Sequence, residues 1–242
     1  MVTPESVELR TCLNCDTPLQ GEYCHTCGQR SGAPLPTLLD CLASGVTAVT
    51  DLDGPLWNSL RKLVTRPGTL SSDFIAGRGA SCVHPVKLFV AVAVLALVPR
   101  AFVQSDPELG GIVYIITAGL ATAIGQEWAQ VLTLLVAVPL MAGALKILYL
   151  RRGRRFLEHV VVTTEFFALV LLVGTVETLV VLLAGGGSAQ SYTALVAVGF
   201  LAWGAATTLR RAYGSTVWES IVGVVYMAVW AGTGILLSLG LL

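Results

Sequence analysis

The chain has 242 residues, 55% of them hydrophobic and only 12% charged, and its mean hydropathy of +0.76 excludes an ordinary soluble domain. Lysine plus arginine balance aspartate plus glutamate at 15 each, so no bulk charge points to nucleic acid, and the placement of the charges matters more than their sum. The pattern predicts an all-α polytopic membrane protein of about five transmembrane helices, with a small N-terminal zinc ribbon and amphipathic interfacial helices.

Residues 1–32 are polar and lack a basic stretch followed by an apolar core, so they do not read as a secretory signal and are expected to stay in the cytosol. Four of the six cysteines fall here as Cys12-Leu13-Asn14-Cys15 and Cys24-His25-Thr26-Cys27. In a reducing compartment two such pairs, separated by a short polar loop, suit a tetrahedral Zn²⁺ better than disulfides. Four thiolates complete the shell without His25, and a closed shell folds the ribbon and leaves no open position for catalysis. Cys41 and Cys82 have no partner at ligand spacing and read as small buried or interfacial residues.

Residues 33–84 form an amphipathic juxtamembrane segment. Leu38, Leu39, Leu42, Val46 and Val49 recur at helical spacing, and Asp51-Leu52-Asp53-Gly54-Pro55 breaks the chain as a helix-capping turn without later calcium ligands. Leu56, Leu60, Leu63 and Val64 make a second apolar stripe beside Arg61, Lys62 and Arg66. Pro67-Gly68 ends that helix, and residues 69–76 suit a third short one with Gly77 as its stop. Such helices are expected along the inner leaflet, with Arg61, Lys62, Arg66, Arg78 and Lys87 contacting headgroups.

Residues 85–242 then supply five apolar runs long enough to cross a hydrocarbon core, which takes roughly 20 helical residues. They lie at about 86–103, 128–150, 159–184, 192–209 and 217–242. A further apolar stretch at 110–125 is short and glycine-bounded. If it crossed, it would put the Arg151-Arg152-Gly153-Arg154-Arg155 turn on the opposite side from the basic segment before the first span. It is therefore read as re-entrant or interfacial. Five crossings put nearly all cationic residues, including Lys146, Arg210 and Arg211, on the cytosolic side, leave Arg100 outside and make the C-terminus external. The expected location is the bacterial inner membrane.

Carboxylates at membrane depth are costly and mark functional or tightly paired positions. Glu165 and Glu177 lie within the third span, and Glu158 and His159 lie at its cytosolic edge next to Arg154 and Arg155. Glu165 is seven residues beyond Glu158, on nearly the same face and about two turns deeper, whereas Glu177 is rotated by roughly 120° from it. These four are candidates for an ion, proton or ligand site. The competing reading is interface anchoring for Glu158 and His159 and protonated, hydrogen-bonded burial for the other two. No GxSxG, HExxH, phosphate-loop or dinucleotide fingerprint is present, which leans away from an enzyme.

Several segments in order resemble the uncharacterised bacterial membrane family called domain of unknown function 3667. They are the ribbon ending Cys27-Gly28-Gln29, Thr50-Asp51-Leu52-Asp53-Gly54, Thr65-Arg66-Pro67-Gly68, Phe74-Ile75-Ala76-Gly77-Arg78, Val83-His84-Pro85, Glu158-His159 and Arg210-Arg211-Ala212-Tyr213. The resemblance implies a zinc ribbon joined to a compact multi-span membrane domain and supplies no reaction. Asp16 stands where a Gly commonly follows the second Cys, and Gly79, Ser81 and Cys82 stand where basic or aromatic residues are usual.

The functional expectation is a non-enzymatic scaffold or adaptor in the lipid bilayer, whose ribbon and amphipathic helices dock a cytosolic protein partner or the inner leaflet, with Zn²⁺ structural and no nucleic acid bound. Two rivals remain open: a small transporter or channel using Glu165 and Glu177, and a membrane enzyme with Glu158 and His159 as an acid/base pair.

Overall fold

The computed structural model describes residues 11–31, 54–80, 82–103, 126–184 and 188–226. The apolar pattern of 38–49, the Asp51 and Asp53 turn residues, Cys41, the 110–125 stretch and the last part of the fifth expected span lie outside them.

After the ribbon come α1 (Gly54–Thr65), α2 (Thr69–Ile75), α3 (Pro85–Val103), α4 (Gln126–Leu148), α5 (Phe156–Ala184), α6 (Ser188–Tyr213) and α7 (Val217–Tyr226). No strand occurs among the described residues; the ribbon holds only two isolated antiparallel bridges, Thr11 with Pro18 and Tyr23 with Arg30. By length and composition, two helices can cross a membrane, Phe156–Ala184 and Tyr192–Tyr213, and they coincide with the third and fourth expected spans. The expected spans at 86–103 and 128–150 coincide with α3 and α4, whose described apolar portions, Pro85–Ala96 and Val136–Leu148, are shorter. Val217–Tyr226 is the described part of the fifth.

α5 is the hub, packing against α3, α4 and α6. It is hydrophobic all round, and its outer face leaves Leu183 89% exposed. One core joins Leu56, Leu63 and Leu70 of α1 and α2 to Leu88 and Val92 of α3 and Leu169 of α5. A second joins Leu145 and Tyr149 at the end of α4 to Val162 of α5 and Leu209 and Tyr213 of α6.

The apolar stripe of α1 is therefore covered by protein. Leu56 and Leu63 are buried and Leu60 packs beside them, whereas Trp57, Arg61 and Val64 form the open face. Ser59 accounts for the polar position within the buried stripe, since its hydroxyl donates to Pro55 O and accepts from Val83 N–H at the approach to α3. α2 stops where glycine allows it. Gly77 has φ +76°, its N–H bonds Phe74 O, and Arg78 N–H bonds Asp73 O, the paired bonds of a Schellman ending.

Candidate functional site

The ribbon is built from two knuckles of the same construction. In the first, Cys12 N–H donates to Thr17 O and Asp16 N–H to Cys12 O; in the second, Cys24 N–H donates to Gln29 O and Gly28 N–H to Cys24 O. Each turn needs a left-handed residue after its second cysteine, and Asp16 (φ 56°) fills the role that Gly28 (φ 73°) fills in the other. Asp tolerates that region better than most residues because its short polar side chain can bond locally.

The four thiols converge. Cys15 Sγ lies 3.5 Å from both Cys24 Sγ and Cys27 Sγ, and Cys12 Sγ lies 3.6 Å from Cys27 Sγ. All four sulfurs are within 4.8 Å of one another, a set that can hold a metal ion. Thr17, whose Oγ1 is 3.3 Å from Cys15 Sγ, brings the Cys15 thiol down to about 6 through its hydroxyl and backbone. At Cys27 the Gln29 backbone bond is outweighed by burial and the three neighbouring sulfurs, which push that thiol up to about 11. Of these two, Cys15 is the one that leans toward the thiolate a metal requires.

The ribbon rests on the end of α2. Gln29 Nε2 donates to Gly77 O at 2.6 Å, and its Oε1 accepts from Gly79 N–H at 3.2 Å. A Cβ on Gly77 would sit 2.7 Å from the Leu13 Cδ1 of the first knuckle, so that glycine serves both the turn and the close approach.

At its other end, α2 is tied to the hub. Glu165 is 1% exposed, and its carboxylate accepts the N–H groups of Gly68 and Ser71, each at 2.7 Å, together with the Ser71 hydroxyl. These backbone donors belong to the first turn of a helix, where no carbonyl is available to them, so a carboxylate from a neighbouring helix satisfies them and complements the helix dipole. Arg211 Nη1 donates to Pro67 O at 2.6 Å from the opposite side.

The arginine-rich turns bind one another. Arg152 Nη1 donates to Tyr213 O, and its Nη2 pairs with Glu219 at 2.9 Å; Arg154 Nη2 donates to Ala212 O, and its Nη1 pairs with Glu158 at 3.0 Å. These guanidinium groups meet the carbonyls at the C-terminus of α6, where cations are favoured. Glu158 and His159 do not act on a common point. His159 is buried, with its Nδ1 2.6 Å from the Tyr213 hydroxyl, and Tyr213 stacks on Tyr149 at 4.2 Å. Glu177 is buried between α5 and its neighbours and lines an apolar groove beside α1.

Among the residues expected at headgroups, Lys62 and Arg78 converge on Asp73, at 3.3 and 3.1 Å. Burial alone would lower the pKa of Lys62, but the nearby Cys82 and Asp73 outweigh it and hold the ammonium above its usual value. These residues with Phe74, His84 and Asn14 line a cavity of about 340 Å³ under the ribbon. Burial, helped by Lys87, pushes the His84 imidazole down to about 4, and its Nδ1 lies 3.1 Å from Val86 N, as an acceptor for that N–H. Arg61 and Arg66 are exposed, and Lys87 is half-buried.

Gly68, Ser71, Gln29 and Tyr213 escape a reading by residue type, because each acts through a partner far along the chain. For Gln29, Gly68 and Tyr213 the signal was present in segments that carry the family resemblance.

Residues 53–97 match the sequence model of the family described as "Protein of unknown function (DUF3667)". The match covers α1, α2 and the start of α3, and α2 is the element that Glu165 and the ribbon hold from either end. No curated protein and no solved structure matches the chain.

Proposed function

We propose that this chain, whose juxtamembrane segment carries the signature of the DUF3667 family, is a non-enzymatic integral protein of the bacterial inner membrane that presents a zinc ribbon to a cytosolic protein partner. The observation that carries the reading is a continuous series of contacts from metal knuckle to apolar hub: Gln29 holds the end of α2, and Glu165 holds its start. A ribbon fixed in this way offers a partner a preorganised surface.

Zn²⁺ is the metal that suits the donors. Four thiolates favour a tetrahedral ion of borderline softness, and corners set by Zn–S bonds of about 2.3 Å stand about 3.8 Å apart, close to the observed sulfur separations. Such a shell supplies folding energy to the ribbon and leaves no vacant ligand position.

An inner N-terminus and an external C-terminus follow from five crossings. The orientation is supported by Arg152, Arg154 and Arg211 gathering at the end of the helices that also receives the Pro67-Gly68 turn, as a cation-rich cytosolic face should. Both oxygens of Glu165 are engaged by α2, which favours a structural over a transporting role for that residue. The transporter reading retains Glu177, and it predicts flux in proteoliposomes that Glu177→Gln abolishes.

The test of the scaffold reading is in-cell crosslinking with wild type and Cys24→Ser, alongside metal analysis of the purified protein. One zinc per chain and a crosslinked partner lost with the metal are expected. An unchanged partner set around a metal-free ribbon would overturn the proposal.

A further inference from the structure

A groove of about 790 Å³ runs between the open face of α1 and the outer faces of α5 and α6. Its walls are apolar along Val176 and Val180 of α5 and Val196 and Phe200 of α6. From Leu172 to Val180 the α5 wall extends about 12 Å along the helix axis. Val196 is 73% exposed and Val176 52%, so the groove opens on the same surface that α5 and α6 turn outward. A space of this size is not left empty in a condensed phase, because its lining would lose contact partners. Its walls carry too few polar groups to hold a water-soluble metabolite.

The polar groups on the α1 side have a consistent placement. Trp57, 69% exposed, and Arg61 follow one another by a helical turn. An amphipathic aromatic beside a cation is the pair found at headgroup level in a bilayer. Among the described residues, Arg61 forms no ion pair, whereas its neighbour Lys62 is held by Asp73. A guanidinium at the mouth of an apolar channel matches a phosphate followed by a hydrocarbon chain.

We propose that this groove seats one acyl chain of an anionic phospholipid whose phosphate is bound by Arg61. The inference rests on the membrane reading above. Glu177 borders the path of the chain, but it is 6% exposed and presents little of its carboxylate to an occupant. A lipid in this position fills the space between α1 and the α5–α6 face, so it fixes the segment that also supports the ribbon.

The experiment uses the full-length protein in vesicles containing phosphatidylglycerol with a photoactivatable acyl chain, compared with the matching phosphatidylcholine. Adducts on peptides 172–180 and 192–200 are expected. Arg61→Gln should cut the preference for phosphatidylglycerol about fivefold, Val196→Trp should block the groove adducts, and Arg155→Gln, an exposed cation away from the groove, should leave labelling unchanged. Thermal unfolding in detergent confirms that the variants fold. Equal labelling by both lipids, adducts spread evenly over all apolar faces, or groove crosslinks to another segment of this chain or to a second copy would overturn the proposal. So would labelling that depends on Glu177→Gln and not on Arg61→Gln. Alkaline carbonate extraction separates the two levels: a released protein rejects the membrane reading, whereas a retained protein without groove adducts rejects only the lipid site.

Discussion

Gly68 donates its backbone N–H to the carboxylate of Glu165 at 2.7 Å, joining residues 97 positions apart. Gly68 has φ +86°, and a Cβ there would stand 2.5 Å from the Thr208 Cα of α6. A turn, the apolar helix α5 and the backbone of a second helix thus meet at one point. The joint works only with a residue that lacks a side chain in the turn and an acceptor of several hydrogen bonds on the helix.

Glu165→Ala leaves two backbone donors and the Ser71 hydroxyl unsatisfied in a buried site. At about 1–3 kcal/mol for each abandoned group, the loss should be roughly 3 kcal/mol or more. Glu165→Gln keeps one acceptor oxygen but sets its amide N–H against the remaining backbone donor, so it should destabilise by less than Glu165→Ala while still falling below wild type. Thermal unfolding in a fixed detergent checks the order; equal midpoints for wild type and Glu165→Ala would show that the joint contributes nothing.

Gly68→Ala combines a left-handed backbone with a backbone clash and should destabilise by about 3 kcal/mol. Gly153→Ala has a comparable φ of +62° with open space around its added carbon, so only the backbone strain of about 1–2 kcal/mol applies. Comparison of the two midpoints separates conformational strain from overlap with Thr208.

His84 should make the protein sensitive to mild acid. Its folded pKa of about 4 lies below the unfolded value near 6.5, so the unfolded chain binds the extra proton first. The stability is fully present above about pH 6.5 and falls as pH drops toward 4. Unfolding midpoints measured across this window should flatten in His84→Asn, which can still accept from Val86 N–H but does not titrate. An unchanged slope in that variant would assign the acid sensitivity elsewhere.

The arginines should divide by what they touch. Arg152→Ala and Arg154→Ala each remove a guanidinium from the last carbonyls of α6 and should each cost about 1 kcal/mol after allowance for their partial exposure. Arg151→Ala and Arg155→Ala, both at exposed positions, should fall within about 0.5 kcal/mol of wild type. Unfolding of the four single variants under one set of conditions gives the comparison.

The spacing of Cys12, Cys15, Cys24 and Cys27 already implied a convergent thiol set, because two knuckles of local backbone hydrogen bonds suffice to aim their sulfurs. The stop at Gly77 and the long apolar helices over α5 and α6 were legible for the same reason: each depends on interactions within a few residues. The amphipathic pattern of α1 was also legible, but an apolar stripe does not identify its cover, and Leu56 and Leu63 pack on α3 and α5. Arg152 and Arg154 read as a cationic cluster, and their bonds to Ala212 and Tyr213 emerge only when α6 returns beside them.

Residue type and spacing specify the local chemistry: four thiols at knuckle spacing, apolar helices with cations at their ends, and a carboxylate in an apolar run. What each of these groups meets follows from how the helices pack. For Glu165 that partner is a helix start nearly a hundred residues away, and its burial is tolerated because the carboxylate is fully hydrogen-bonded there, a condition that no local pattern can encode.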